Sequence, residues 1–159
     1  MKTSAISRRT LLEAGACILA AAGTPEIASA EAGAASGAKN EEVIRKYYAA
    51  WETKDWRPID NLLADDFTFT SANNDDHISK SVFKKRCWQS QIGFIDRFEL
   101  QQVIARDNEA FVLYVCRTMN GKTFRNVEYF RLRDGKVKGI ECYFGQPSSF
   151  PSAVSTGQT

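Results

Sequence analysis

Apolar residues recur with two different periods along this chain. Within residues 43–51 they are spaced three and four apart, which is the spacing of one helix face. The residues on this face are Val43, Ile44, Tyr47, Tyr48 and Trp51. Asn40 precedes them and suits an N-cap, and Glu41 and Glu42 suit the positive end of the helix dipole. The pattern therefore predicts a first helix that begins after Asn40.

Two shorter helices and one strand are predicted next. The second helix begins at Asp55 and tolerates Pro58 in its first turn. Residues 67–71 alternate between apolar and polar, which predicts a strand. Ser79 then caps a third helix that runs to about Trp88, and the bases of this helix are expected on a solvated face.

From residue 96 onward the period changes from that of a helix to that of a strand. Asn120-Gly121 is a strong signal for a two-residue hairpin loop, and Asp134-Gly135 marks a second turn. Three helices followed by an antiparallel meander predict an α+β domain with helices packed on one face of a curved sheet. The expected strands cover approximately residues 98–105, 110–119, 122–132 and 136–144.

Polar side chains interrupt the face of the hairpin that is expected to be apolar. A two-residue loop at Asn120-Gly121 would place Arg117, Asn126 and Glu128 together on the inner face of the sheet. One interpretation is a structural bridge between Arg117 and Glu128, and the other is a pocket whose floor is this sheet. The residues leave both interpretations open.

The second turn decides what lies opposite Glu128. A two-residue loop at Asp134-Gly135 would set Glu128 against Glu141, which places like charges opposite each other. We therefore expect a three-residue loop, which continues the inner face through Ile140, Cys142 and Phe144.

The N-terminal residues 1–30 have the layout of a twin-arginine export signal. Arg8-Arg9 is followed by the small apolar run 14–23 and by an A-x-A cleavage site, Ala28-Ser29-Ala30. We expect cleavage and a periplasmic or secreted domain. The alternatives are an uncleaved anchor and, less favoured, lipidation at Cys17.

Composition sets the limits of the mature domain. Residues 31–39 are predicted to be a flexible leader and 148–159 a disordered tail, which leaves the domain at 40–147. Removing three bases and two acids with the signal changes the net charge from +2 to +1. Such a chain has no electrostatic footprint for nucleic acid, and no membrane contact is expected after cleavage.

Three cysteines remain, so disulfides are not expected to hold the fold.

No cofactor motif occurs in the chain. It contains no glycine-rich dinucleotide pattern, no P-loop, no C-x-x-C and no H-E-x-x-H. His77 is the only histidine, and Asp75 and Asp76 are the only acids beside it. These ligands are too few for a tight metal site, so neither a metal nor a cofactor is expected.

Two stretches carry a resemblance to a known family. They are "YYAAWETKDWRPIDNLLADDFTFTS" (Tyr47–Ser71) and "VEYFRLRDGKVKGIECYFG" (Val127–Gly145), in the same order of elements. The chain from about Glu42 to Gly145 resembles the SnoaL-like branch of the nuclear transport factor 2-like superfamily, which includes ketosteroid isomerase. The resemblance implies a cone, in which helices close over a curved antiparallel sheet and enclose a hydrophobic pocket. It also implies a homodimer that forms through the sheet.

On the ketosteroid isomerase pattern, Tyr47 falls on the tyrosine of the oxyanion hole and Glu128 on the protonated acid that shares its role. Ser71 falls where the relative has its general-base aspartate, so steroid isomerisation is not expected. His77 lies six residues further on, in a loop near the expected mouth of the pocket. It is the candidate base, and the alternative is a polar loop residue that hydrogen-bonds Asp75 or a backbone carbonyl.

The remaining candidate residues bind substrate under this hypothesis. Arg117 and Asn126 orient polar groups, and the other lining residues are Trp51, Ser71, Cys142 and Phe144. We expect an exported domain that binds a small, largely apolar molecule, with an acid/base lyase, isomerase or hydrolase reaction as one outcome. The alternative is a non-catalytic module for binding or dimerisation, so the sequence leaves open whether the protein is an enzyme.

Overall fold

The computed structural model describes residues 25–144, and most of the predicted signal and all of the predicted tail lie outside this range. Helix α1 (Pro25–Glu52) continues through residues 31–39, which we predicted to be a flexible leader. Asn40 is therefore not an N-cap, and that prediction was wrong. Its side-chain amide is buried and donates a hydrogen bond to the carbonyl oxygen of Asp107. Gly37 lies so close to Ala105 that an added Cβ would be 2.7 Å from the Ala105 carbonyl oxygen.

The two other helical segments begin where the sequence predicts. Helix α2 (Trp56–Leu62) is capped by Asp55, whose side chain accepts a hydrogen bond from the backbone N–H of Arg57 at 3.0 Å. Helix α3 (Lys80–Phe83) is capped by Ser79. It continues through a π-helical turn (Lys84–Trp88) into α4 (Gln89–Gln91).

Six strands form one mixed sheet in the order β2-β1-β6-β5-β4-β3. The predicted meander β3–β6 is antiparallel throughout, and the sheet as a whole is mixed because β1 and β6 pair in parallel. The α+β architecture, with helices over a curved sheet, is confirmed. The strands are β1 (Leu63–Ser71), β2 (Asp75–Ser79), β3 (Ile95–Arg106), β4 (Glu109–Thr118), β5 (Thr123–Arg133) and β6 (Lys136–Tyr143).

The hairpin between β4 and β5 has a three-residue loop, residues 119–121, and not the two-residue loop that we predicted. Arg117 pairs with Thr123, and the backbone N–H of Thr118 donates to the carbonyl of Lys122 at 2.9 Å. A two-residue Asn-Gly loop needs a positive φ at both residues, and here only Gly121 has one, at 80°. The extra loop residue shifts the register by one and moves every β4 side chain to the opposite face.

The second hairpin also differs from the prediction. Asp134 and Gly135 form a two-residue loop with φ values of 53° and 71°, and Arg133 pairs with Lys136. A register shift beside Arg131 then places Glu128 opposite Cys142, so no acid faces another acid. The predicted inner positions Ile140 and Cys142 are both buried.

The core lies between the apolar face of α1, the α3–α4 segment and the inner face of the sheet. Its largest fully buried side chains include Phe67, Phe83, Phe130 and Ile44. No helix within residues 25–144 is long and apolar enough to cross a bilayer.

Candidate functional site

A cavity of about 1000 Å³ opens between α1, the α3–α4 segment and the inner face of the sheet. This volume is at the upper end of the usual range for small-molecule sites. Ten of the twenty-five residues that line it are aromatic, so it suits an apolar or ring-containing molecule. The aromatic residues that line it are Tyr47, Tyr48, Trp51, Phe69, Phe83, Phe94, Phe98, Tyr114, Phe124 and Phe144.

A group of five polar residues lies on the floor of this cavity, and we call it the polar network. At its centre is Glu128, which is only 8% exposed. The Tyr48 hydroxyl donates to Glu128 Oε2 at 2.6 Å, and the Tyr114 hydroxyl donates to Oε1 at 3.1 Å. Asn126 Nδ2 donates to the Tyr114 hydroxyl at 3.0 Å and lies 3.7 Å from Cys142 Sγ. Four elements meet at this point, because Tyr48 comes from α1 and the others from β4, β5 and β6.

Burial controls the protonation of the polar network. It raises the pKa of Glu128, and hydrogen bonds from Tyr48, Cys142 and Tyr114 act in the opposite direction. Burial, and then the nearby Glu128 charge, raise the pKa of both Tyr48 and Tyr114 well above the usual value. Burial therefore shifts the acid towards its neutral form, and both phenols are shifted further towards theirs.

A neutral Glu128 leaves one hydrogen-bond donor unused. Three contacts reach its carboxyl group, from the hydroxyls of Tyr48 and Tyr114 and from the thiol of Cys142, and each needs one hydrogen. The thiol supplies the hydrogen of its own contact. The neutral carboxyl and the two hydroxyls carry three hydrogens for the other two contacts, so one O–H can donate to a ligand in the cavity. An ionised Glu128 would use both tyrosine hydrogens and leave no such donor.

Tyr47 lies beside this network, but Tyr48 makes the hydrogen bond to Glu128. The Tyr47 ring is buried and packs edge-on against Trp51 and Phe130, with ring centroids 6.4 and 5.7 Å away. Adjacent residues on a helix point about 100° apart, since a turn contains 3.6 residues. The ketosteroid isomerase pattern assigned the hydrogen-bonding phenol to Tyr47, one position before Tyr48, which makes the contact with Glu128.

A second acid in the cavity was missed by the sequence analysis. Asp75 is 5% exposed and lines the cavity from β2. Ser71 Oγ donates to Asp75 Oδ2 at 2.8 Å, and Arg86 Nη2 lies 2.9 Å from Oδ1. We had predicted a loop at Asp75 and a solvated face at Arg86. The turn-forming residues Asn73-Asn74 were the only signal that Ser71 and Asp75 pair across a hairpin.

Two predicted site residues lie outside the cavity. The His77 side chain is 60% exposed, and its Nδ1 is 2.5 Å from Asp76 Oδ1. His77 belongs to the edge strand β2, and its backbone N–H donates to Thr70 Oγ1. The expected position at the pocket mouth was therefore wrong.

Arg117 lies on the outer face of the sheet as a result of the register shift between β4 and β5. Its guanidinium pairs with Glu99, with Nη2 2.9 Å from Oε2, and its side chain is 43% exposed. The prediction that Arg117 joins Asn126 and Glu128 on the inner face was wrong, and no bridge between Arg117 and Glu128 forms.

The other seven predicted residues all line one cavity: Tyr47, Trp51, Ser71, Asn126, Glu128, Cys142 and Phe144. Within residues 25–144 no group of three or more histidine, cysteine or acidic side chains is placed to hold a metal ion. The chemistry that this arrangement offers is hydrogen bonding and proton transfer.

The family model that describes the SnoaL-like domain matches residues 44–140, which is more than half of the chain. The chain belongs to the SnoaL-like domain family. The matched range contains every residue of the polar network except Cys142. No curated protein matches this chain.

Solved structures share the fold of this SnoaL-like domain. A protein from Kribbella flavida DSM 17836, provisionally assigned as a ketosteroid isomerase, matches with TM-score 0.59 and 18% identity over 78% of this chain and 86% of its own. A protein from Xanthomonas campestris pv. campestris, provisionally assigned as a polyketide cyclase, matches with TM-score 0.57 and 20% identity over 69% and 93%. A de novo designed protein with a curved β-sheet matches with TM-score 0.58 and 23% identity over 69% and 87%. At these identities the likeness shows the fold alone.

Proposed function

We propose that this SnoaL-like domain binds a small, largely apolar molecule in its cavity and holds an oxygen atom of that molecule at the polar network. The observation that carries the proposal is the buried Glu128, held by Tyr48 and Tyr114 inside an aromatic cavity. A buried carboxyl group without a ligand-binding or chemical role would be a costly way to fill an apolar core.

The free hydrogen-bond donor of the polar network determines which kind of ligand oxygen can bind there. The surplus O–H donor suits a carbonyl, enol or phenol oxygen, which accepts one strong hydrogen bond. If the ligand is a ketone, the same donor stabilises negative charge that develops on its oxygen, so the domain catalyses an acid/base reaction of the lyase, isomerase or hydrolase type. The names of the similar proteins from Kribbella and Xanthomonas are compatible with such chemistry.

A second role is favoured by the outer face of the sheet, where we propose that the domain forms a homodimer. Five large apolar residues lie there, and each has between 36% and 57% of its surface exposed. Strand pairing makes them neighbours, since Ile104 pairs with Phe111, Leu113 with Val127 and Val127 with Tyr143. A contiguous apolar patch of this kind is typical of an interaction surface. A Phe111→Lys substitution should convert the dimer to a monomer in light scattering, and a wild-type monomer would contradict the proposal.

Export remains part of the proposed function. The twin-arginine pattern and the A-x-A site support a periplasmic or secreted domain. Cell fractionation of a double variant that combines Arg8→Lys with Arg9→Lys tests this, because the twin-arginine route requires the arginine pair. The double variant should stay in the cytoplasm, and export equal to that of wild type would contradict the proposal.

Ligand binding is tested by isothermal titration calorimetry with 2-naphthol, a two-ring phenol whose hydroxyl imitates an enol. Wild type and Glu128→Gln should bind it with similar affinity, because the amide imitates the neutral acid. Glu128→Leu should weaken binding about tenfold or more, the effect of losing a hydrogen bond worth roughly 1.4 kcal/mol. Glu99→Gln, on the outer face, is the matched control. Equal affinity in Glu128→Leu and wild type would overturn the proposal.

A further inference from the structure

We propose that Ser71 and Asp75 form a second binding site in the cavity, which accepts a hydrogen bond from a hydroxyl group at the far end of the ligand. We call this pair the second anchor. The inference rests on the proposed ligand-binding function and adds a ligand class to it, a rigid ring compound with an oxygen at each of two opposite ends. The second anchor positions the ligand and carries no chemical step.

The second anchor lies in the wall of the cavity, and the cation that pairs with it lies outside. Within residues 25–144 the cavity lining includes Ser71 and Asp75 and leaves out Arg86. The Asp75 side chain is only 6% exposed, and Arg86 Nη2 lies 2.9 Å from its Oδ1. Because arginine is always charged, this ion pair favours the ionised form of Asp75. The second anchor therefore brings a carboxylate to the cavity and has its charge compensated from outside.

Hydrogen-bond capacity remains on the Asp75 oxygen that contacts Ser71. Ser71 Oγ donates its only hydrogen to Asp75 Oδ2 at 2.8 Å and accepts from the backbone N–H of Asn73 at 3.2 Å. The buried Oδ1 faces Arg86 and has no aligned donor among residues 25–144. Each oxygen of a carboxylate accepts about two hydrogen bonds, so Oδ2 has one position left for a ligand. The second anchor can accept a hydrogen bond there but has no hydrogen to donate.

The two polar sites of the cavity are complementary. The polar network has a free O–H donor when Glu128 is neutral, whereas the second anchor only accepts. A ligand that satisfies both sites has an oxygen that accepts at one end and an O–H that donates at the other. Since Arg86 already compensates the charge of Asp75, a neutral hydroxyl fits better than an ammonium group, which would place a second cation beside the same carboxylate.

Strand pairing sets the distance between the two sites. Asp75 pairs with Ser71, Ser71 with Cys142, and Cys142 with Glu128. Neighbouring strands are about 4.8 Å apart, so the three steps separate the backbones of Asp75 and Glu128 by roughly 14 Å along the sheet. A hydrogen bond at each end takes up roughly 2.8 Å, which leaves at most roughly 8 Å between the two ligand oxygens, because the sheet is curved. Two fused six-membered rings with oxygens at opposite ends span this distance.

The wall near the second anchor suits such rings. Phe69 lies two residues before Ser71 on β1, and its ring centroid is 4.9 Å from that of Phe83 on α3. Both rings line the cavity, and so does the smaller Cys142, which lies between Ser71 and Glu128 in the row of paired strands. A hydrogen bond to a carboxylate is stronger in such apolar surroundings than in water. The second hydroxyl of a ligand should therefore have a clear effect on affinity.

Three naphthalene phenols test the second anchor in wild type by isothermal titration calorimetry. 2-Naphthol has one hydroxyl, 2,6-dihydroxynaphthalene has hydroxyls at opposite ends, and 2,3-dihydroxynaphthalene has both at one end. The 2,6 isomer should bind about tenfold or more tightly than 2-naphthol, the effect of one hydrogen bond to a charged group. The 2,3 isomer should show no comparable gain. Equal affinity of the two isomers, or no gain of the 2,6 isomer over 2-naphthol, would overturn the second anchor and leave ligand binding intact.

Variants assign the gain to Asp75. In Asp75→Ala the 2,6 isomer should lose most of its advantage over 2-naphthol. Asp76→Ala is the matched control, since Asp76 is the neighbouring acid and its side chain is 86% exposed, and it should keep the wild-type advantage. Asp75→Asn should keep part of the advantage, because its amide oxygen still accepts, and it replaces Asp75→Ala if that variant fails to fold. An undiminished advantage in a folded Asp75 variant would overturn the assignment. No binding of any of the three phenols to wild type would overturn both proposals.

Discussion

The two faces of the central sheet each hold a glutamate with hydrogen-bonding partners, and the two glutamates behave in opposite ways. On the inner face, burial raises the pKa of Glu128, which is held by Tyr48 and Tyr114. On the outer face, the hydrogen bond from Arg117 lowers the pKa of Glu99, which remains close to solvent. The comparison teaches that the face of a strand, more than the residue type, decides in which direction the pKa of an acid shifts.

The largest effect is expected from removing the inner acid. Glu128→Leu leaves the hydroxyls of Tyr48 and Tyr114 without their acceptor, so the free energy of unfolding should fall by about 2 kcal/mol. Glu128→Gln should keep most of the stability that Glu128→Leu loses. Urea unfolding followed by circular dichroism measures both variants. Glu99→Gln on the outer face should leave the unfolding midpoint unchanged, and a loss there as large as in Glu128→Leu would break the comparison.

The next target is the three-residue loop between β4 and β5, because its length decides which β4 side chains face the cavity. Gly121 has a φ of 80°, where a β-branched residue is strained, so Gly121→Val should cost about 1–2 kcal/mol. Gly93 is the matched control, because a Cβ added there meets nothing within 4 Å and its φ is not in the left-handed region. Thermal unfolding of Gly121→Val and Gly93→Ala distinguishes them, and equal stability would contradict the three-residue loop.

The pH dependence of stability should differ in sign between the two glutamates. The folded-state pKa of Glu128 is raised above 4.5, so its contribution to stability is complete below that pH and is lost as the pH rises through the folded value. The pKa of Glu99 is lowered below 4.5. Its contribution to stability is therefore present above pH 4.5 and is lost as the pH falls through the folded value. Urea midpoints measured across pH should therefore decline less with rising pH in Glu128→Gln than in wild type. An identical profile would show that burial does not raise the pKa of Glu128.

The smallest effect is expected at Arg117. Because its side chain lies on the outer face, Arg117→Ala should leave 2-naphthol affinity unchanged within about twofold. The free energy of unfolding should also change little, because exposed ion pairs of this kind contribute little to stability. Calorimetry measures the affinity. A tenfold loss would place Arg117 in the cavity and restore the inner-face register that the Asn-Gly signal indicated.

The sequence predicted the elements better than it predicted their registers. Apolar periodicity located α1, α2 and the four long strands, and the inner positions of Asn126, Glu128 and Cys142 followed from period-two alternation in β5 and β6. Asn120-Gly121 is compatible with loops that differ by one residue, and that residue decides the face of all of β4, including Tyr114.

The second acid of the cavity could not be found in this way. The pairing of Asp75 with Arg86 joins an edge strand to a π-helical turn, and no periodicity relates the two. The contact between Tyr48 and Glu128 spans eighty positions of sequence. Both arise from tertiary packing, which local pattern does not encode.

A crystal structure of the protein soaked with 2-naphthol tests the central claim most directly. The account predicts the ring system in the aromatic cavity and the naphthol oxygen within about 2.5–3.0 Å of a hydroxyl or carboxyl oxygen of the polar network, the range of an O–H···O hydrogen bond. A cavity that remains empty at saturating ligand, or a naphthol whose oxygen points away from Glu128, Tyr48 and Tyr114, would contradict it.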